Sequence, residues 1–165
     1  ELCESGMSAS IARVRRNASS PLSRLKSLNY LDNLLMRATA GEAGAQEALT
    51  LDFEGRVVEG SASNIFLVKD DRVSTPPVSA GVLPGITRDC VLEQCSELGI
   101  EAAETTFSVQ ELARADEAFL TNSLMEVMPL TEVEEAPVGG GQPGPLTKRL
   151  ASAYRELVAR ETGSV

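Results

Sequence analysis

The sequence predicts an α+β domain with strands joined mostly as hairpins. Two observations lead there. Short apolar and β-branched runs recur between turn signals, which is the pattern of strands joined mostly as hairpins. A few longer stretches carry apolar residues at helical spacing, so strand–helix–strand units are few.

The elements follow in order. Residues 1–7 read as an irregular start, and 8–16 mix small, β-branched and basic residues as a strand does. Asn17 to Ser23, with its Ser-Ser-Pro, is a loop. Leu31, Leu34, Leu35 and Ala38 predict a helix over 28–41 that ends near Gly41. Ala48 to Asp52 and Arg56 to Glu59 flank the turn Phe53-Glu54-Gly55, and Asn64 to Lys69 pairs with Arg72 to Thr75 across Asp70-Asp71. Thr75-Pro76-Pro77 breaks the pattern. A helix from Gly85-Ile86-Thr87 to Leu98 has the stripe Val91, Leu92, Cys95 and Leu98, and Gly99 stops it. Residues 101–106, 117–121 and 126–133 read as strands, with a short helix over 108–114. Gly139 to Pro145 is a loop or hairpin tip. Leu146, Leu150, Tyr154, Leu157 and Val158 line the last helix.

Composition narrows the function. The 165 residues include 15 basic and 24 acidic side chains, a net charge of −9, and no histidine. That excludes Ser-His-Asp and Cys-His catalysis and any histidine-containing metal site, so no metal is expected. The acidic balance argues against nucleic acid, which needs clustered Lys and Arg. No apolar run is long enough to span a bilayer and none reads as a signal peptide, so a cytoplasmic protein with no membrane partner is expected. Cys3, Cys90 and Cys95 are odd in number and form no CxxC pair, which fits reduced thiols, with Cys95 in the core. The chain begins Glu1-Leu2-Cys3 without an initiator Met, as a processed or excised piece would.

Four segments could carry chemistry. Lys26, between a Ser/Pro loop and a helix, is either a surface charge or a pocket amine freed for nucleophilic work by burial. Glu59, followed by Gly60-Ser61-Ala62-Ser63, is either a solvated strand-end carboxylate or one set beside a cation where small residues admit a flat ligand. Gly81-Val82-Leu83-Pro84-Gly85-Ile86-Thr87-Arg88 opens a helix whose free amides suit an anion, although most such starts bind nothing. Thr121-Asn122-Ser123, before Leu124-Met125-Glu126-Val127-Met128-Pro129, is either a turn with methionine core filler or a set of donors to phosphate or carboxylate.

In this order the four segments resemble the fold-type IV pyridoxal-phosphate enzymes, the class IV aminotransferase family, over nearly the whole chain, and the resemblance implies the C-terminal domain of that D-amino-acid aminotransferase-like fold, a mixed β-sheet or pseudo-barrel packed with helices. The resemblance implies pyridoxal 5'-phosphate as cofactor and a small-molecule substrate. It implies Lys26 as the Schiff-base lysine and proton shuttle, and Glu59 as the carboxylate on the pyridine nitrogen. It implies Ile86 and Thr87 as phosphate-binding residues at the helix start. Asn122 and Ser123 match the second phosphate segment, with Asn122 also a candidate for substrate choice. A carboxylate at the ring nitrogen keeps the ring protonated and able to accept electrons.

Within the family, Lys26-Ser27-Leu28-Asn29 resembles the lyase and D-amino-acid branch. The run Asn122 to Pro129 looks most like 4-amino-4-deoxychorismate lyases. The expected reaction is therefore release of pyruvate from 4-amino-4-deoxychorismate, giving 4-aminobenzoate for folate synthesis. The alternative is a branched-chain or D-amino-acid aminotransferase, toward which Gly139 to Thr147 pulls. Family members carry a smaller N-terminal domain that supplies a phosphate-binding arginine. Nothing here matches it, so residues 1–165 read as the cofactor-bearing C-terminal domain alone. The resemblance implies a homodimer for the full-length enzyme. A non-catalytic fragment or dimerisation module of the same fold stays open.

Overall fold

Asp70 and Asp71 both take left-handed backbone conformations (φ 50° and 59°), and the two-residue turn they make folds β4 (Asn64–Lys69) onto β5 (Arg72–Thr75). The structure, a computed structural model, describes residues 2–163. One helical turn, α1 (Leu2–Ser5), lies where an irregular start was expected and leads into β1 (Met7–Arg15). Helix α2 (Leu31–Glu42) joins β1 to β2 (Glu47–Leu51), which turns back as β3 (Arg56–Gly60). After β4 and β5 come α3 (Ile86–Glu97), β6 (Ala102–Glu104), β7 (Phe107–Ser108) and α4 (Val109–Ala113). Then follow β8 (Glu117–Asn122), β9 (Glu126–Val133), β10 (Ala136–Pro137) and α5 (Pro145–Thr162). The two-residue strands β7 and β10 are too short to leave a periodic signal, and the sequence did not reveal them.

The strands form one sheet in the order β6-β5-β4-β8-β9-β1-β2-β3-β7, with β10 beside β9. The pairs β1–β2, β1–β9 and β5–β6 are parallel and the rest antiparallel. Helices α2 and α3 make the crossovers for β1–β2 and β5–β6, as parallel pairing requires. The mixed α+β architecture is the expected one.

Alternation along the central strands decides which residues meet. Ile65 and Leu67 of β4, with Ala118 and Leu120 of β8, join the inner core around Leu49, Val57 and Leu130. Phe66, Val68 and Phe119 face the other way and pack under α3 and α5 with Val91, Cys95, Leu150 and Tyr154. Phe66 and Phe119 are direct cross-strand partners with rings stacked 4.7 Å apart. Cys95 is a core residue whose thiol burial pushes up to about 11, and Cys90 is also a free thiol. The side chain of Cys3 lies outside the described residues.

Helix α2 corrects the sequence reading. Its expected apolar stripe points outward: Leu31, Leu34 and Leu35 are more than half exposed. The buried face is instead Asn33, Met36 and Ala40, against Ala12 and Ala48. The helix begins at Leu31 and not at 28, because Leu28 to Tyr30 form a separate tight turn. No helix among the described residues is long and apolar enough to cross a membrane.

Candidate active site

Glu59 sits near the end of β3 and is 5 % exposed. One carboxylate oxygen meets an Arg16 guanidinium nitrogen at 2.5 Å, and the other accepts the Leu83 backbone N–H at 2.8 Å. Thr50 donates to the Glu59 carbonyl at 3.0 Å, which holds the backbone. Burial raises the Glu59 carboxyl to about 7, while Arg16 and the Leu83 amide pull it down. Arg16 Nε is buried without a partner. A cleft of about 320 Å³ opens beside Arg16, lined also by Asn17, Ser23, Asn29 and Asn33.

The turn that follows, residues 60–63, is tied down from below and above. Glu47 of β2, 1 % exposed, accepts from the Ser61 amide at 3.0 Å, the Ser61 hydroxyl, and the Ser63 hydroxyl at 2.8 Å. The Ser61 carbonyl accepts from the Tyr30 phenol and from Asn33 Nδ2 at 2.7 Å. A Cβ at Gly60 would come within 2.1 Å of Ser63 Oγ and 2.9 Å of Glu47 Oε2, so only glycine fits.

The loop 81–85 carries the chain from the Glu59 contact to α3. Asn64 Nδ2 donates to the Leu83 carbonyl at 2.9 Å, and its other amide atom lies against Gly85. Gly85 offers no side-chain cap, and the first intrahelical bond runs from the Asp89 amide to the Gly85 carbonyl. The amides of Ile86, Thr87 and Arg88 therefore face an open helix start, the polarity an anion seeks. Thr87 is buried, with its hydroxyl 3.3 Å from the Tyr154 phenol, whereas Ile86 is exposed. Arg88, 2 % exposed, anchors this turn through the Pro76 carbonyl at 3.0 Å and the Glu104 carboxylate. On the neighbouring strand Thr121, paired with Asn64, has a buried hydroxyl with no partner.

Asn122 and Ser123 form the turn after β8. The Asn122 side chain donates to the Ala62 carbonyl at 2.9 Å and accepts from the amides of Leu124 and Met125. It staples the 122–126 turn to the 60–63 turn, and Ser123 stands exposed beside it. Lys26 is exposed, on a span pinned at both ends to the same region. Upstream, Arg16 holds Glu59, and Ala18 packs where a Gly81 Cβ would sit; downstream, Tyr30 holds Ser61. Lys26 does not line the cleft beside Arg16. Hydrogen bonds thus tie the Glu59 strand end to the loop before α3 and the 60–63 turn to the Asn122 turn, while Lys26 stays exposed on a span whose flanking residues Arg16 and Tyr30 bond to Glu59 and Ser61.

Residues 4–133 match the family described as amino-transferase class IV. The chain belongs to the class IV aminotransferases. It is 38% identical over 164 residues to the branched-chain-amino-acid aminotransferase of Escherichia coli K12, covering 98% of this chain and 53% of that protein. It is 40% identical over 138 residues to the D-alanine aminotransferase of Bacillus licheniformis, covering 84% and 48%. The crystal structure of the Escherichia coli branched-chain enzyme superposes with a TM-score of 0.91, at 38% identity, over 95% of this chain and 53% of that one. The branched-chain enzyme of Thermobaculum terrenum in its PLP form gives 0.88, at 34% identity, over 94% and 52%. The chain therefore spans about half the length of the relatives it matches, and its fold is that of the fold-type IV enzymes.

These relatives are aminotransferases, and they overturn the aminodeoxychorismate lyase reading together with its folate and 4-aminobenzoate corollaries. The physical reason lies in the run that suggested it. Asn122 uses its amide to build a turn, and Met128 is buried in the inner core. Those residues build the β8–β9 connection.

Class IV aminotransferases use pyridoxal phosphate, and the residues here fit it: an uncapped helix start, an unpartnered Thr121 hydroxyl beside it, and a buried carboxylate at its foot. Four residues escaped the sequence reading as parts of this site. Arg16 lay among the basic residues of the strand 8–16, Glu47 fell just before the strand Ala48 to Asp52, and Tyr30 and Asn33 lay within the expected helix 28–41. The one available signal for Glu47 was Gly60, whose strict need for a small residue implies a close neighbour.

Proposed function

We propose that this chain is the cofactor-bearing part of an aminotransferase that moves the amino group of an amino acid to a 2-oxo acid, with branched-chain amino acids as substrates. One observation supports it above the others: Glu59 is buried against Arg16 and bonded through Leu83 to the loop that ends in the open start of α3. When bound, pyridoxal phosphate supplies an electron sink for the reacting carbon. Glu59 would hold the proton of the ring nitrogen, with Arg16 favouring its charged form against burial. The amides at Ile86 and Thr87, the Thr87 hydroxyl and Ser123 would hold the phosphate. Asn122 sets the turn that presents Ser123. Lys26 would supply the amine that anchors the group and would move a proton at the reacting carbon.

The exposed Leu31, Leu34 and Leu35 support an assembly in which another surface covers α2, and a homodimer is the expected form. Light scattering measures it. The function is tested by incubating the protein with pyridoxal phosphate, reducing with borohydride and mapping peptides. A single adduct on Lys26, with amino transfer from L-leucine or L-valine to 2-oxoglutarate, is the expected result. Turnover of D-alanine alone would move the substrate to the D-amino acids. No adduct, or adducts scattered over both lysines beyond Lys26, would make this chain a non-catalytic module of the fold.

A further inference from the structure

Glu47 is the most completely enclosed carboxylate near the site, and nothing in the proposed chemistry uses it. A buried charge must be offset by hydrogen bonds. Glu47 takes them from the amide of Ala48 at 2.8 Å, from the amide and hydroxyl of Ser61, and from the hydroxyl of Ser63. Three of these four donors belong to the short turn between Glu59 and β4. The turn in turn presents the Ser61 carbonyl to Tyr30 and Asn33, the two residues that fasten the start of α2. Tyr30 follows Lys26 by four positions, so its phenol ends the span that carries the lysine.

We propose that Glu47 is a positioning residue of the site. Through Ser61 it fixes the 60–63 turn beside Glu59 and, with it, the Tyr30 phenol that ends the Lys26 span. This inference rests on the cofactor site proposed above. Glu47 touches neither Lys26 nor the helix start, and its effect reaches the site only by way of Ser61 and Tyr30.

Electrostatics point the same way. The Tyr30 hydroxyl is raised above its ordinary value, first by burial and then by the nearby charge of Glu47. Glu59 raises it further, while Asn33 and Arg16 pull it down. Glu47 also raises the Glu59 carboxyl. Neutralising Glu47 without changing its shape therefore lowers both.

The test is a double-mutant cycle on the 165-residue chain. Pyridoxal phosphate affinity is read by cofactor absorbance in the parent, Glu47→Gln, Tyr30→Phe and the double variant. Phenol ionisation is read in the ultraviolet without cofactor; the chain has two tyrosines, so Tyr154→Phe isolates Tyr30. The expected result is that Glu47→Gln weakens the cofactor about tenfold in the parent and less than about twofold in the Tyr30→Phe background, the coupling of two residues that act as a unit. The Tyr30 titration moves down in Glu47→Gln. Equal losses in both backgrounds, with an unmoved phenol, would make Glu47 a purely structural anchor and overturn the proposal. Should Glu47→Gln not fold, Ser61→Ala takes its place in the cycle, with the same expected coupling to Tyr30→Phe and the same overturning result. Failure of the parent to take up any cofactor would overturn the functional reading and this inference together, whereas uptake with additive losses overturns the inference alone.

Discussion

Helices α3 and α5 start alike and end up serving different purposes. Each is preceded by a glycine in extended conformation that offers no side-chain cap. At α5 the vacancy is filled from outside: Glu117 of β8 accepts the amides of Leu146 and Thr147 at 2.9 and 2.7 Å. A Cβ on Gly144 would come within 2.0 Å of that carboxylate, so the glycine is the condition for the cap. At α3 Gly85 makes room for Asn64, which bonds to the Leu83 carbonyl and leaves the helix amides alone. The same partial positive charge that stabilises the fold at α5 is thus left free for a ligand at α3. An exposed motif of glycine before a helix says that an anion is welcome; a neighbouring strand decides whether the protein supplies it.

The sharpest way to break that contrast is Glu117→Ala. It removes the cap and strands two amides, one of them buried, for an expected loss of about 3 kcal/mol in urea unfolding. Pyridoxal phosphate affinity should stay within about twofold, because the α3 start is untouched. A parallel loss of cofactor would show the two helix starts to be coupled.

Glu59→Gln tests the carboxylate at the foot of α3. In the cofactor-free protein Glu59 titrates at about 7 against an ordinary 4.5, so the folded state holds its proton more tightly. Its contribution to stability is full below about pH 4.5 and is lost as pH rises toward 7, by on the order of 2–3 kcal/mol. Urea midpoints across that range should show this decline in the parent and a flatter profile in Glu59→Gln.

A smaller effect is expected at the helix start. Thr87→Val keeps the shape and removes one donor, which should weaken pyridoxal phosphate binding by about 1 kcal/mol, roughly fivefold, with the unfolding midpoint nearly unchanged. The smallest belongs to α2, which packs by a different face. Leu34→Ser should change the unfolding free energy of the monomeric chain by less than about 0.5 kcal/mol, whereas Met36→Ala on the buried face should cost about 2–4 kcal/mol.

Much of this molecule could be read from its residues. The hairpin across Asp70-Asp71, the limits of the strand 126–133 and the helix stopped by Gly99 follow from local chemistry: alternation, turn residues and caps act over a few positions. The family resemblance lay in four short segments whose order survives in one dimension, and it led to the cofactor. What failed were inferences that needed a third dimension. The leucines of α2 have perfect helical spacing, yet spacing cannot say which of two faces meets the sheet, and the smaller face of Met36 and Ala40 fits against Ala12 and Ala48. The Asn122 run suggested a reaction but builds a turn. Glu47 and Arg16 are ordinary charges in the sequence and become parts of the site only because strand pairing brings β2 beside β3, and β1 beside β2, with the Glu47 carboxylate on the 60–63 turn and the Arg16 guanidinium on Glu59. Local order was settled by short-range preference; the site was settled by which buried charges found each other across the sheet, since a charge taken out of water must find its partners there.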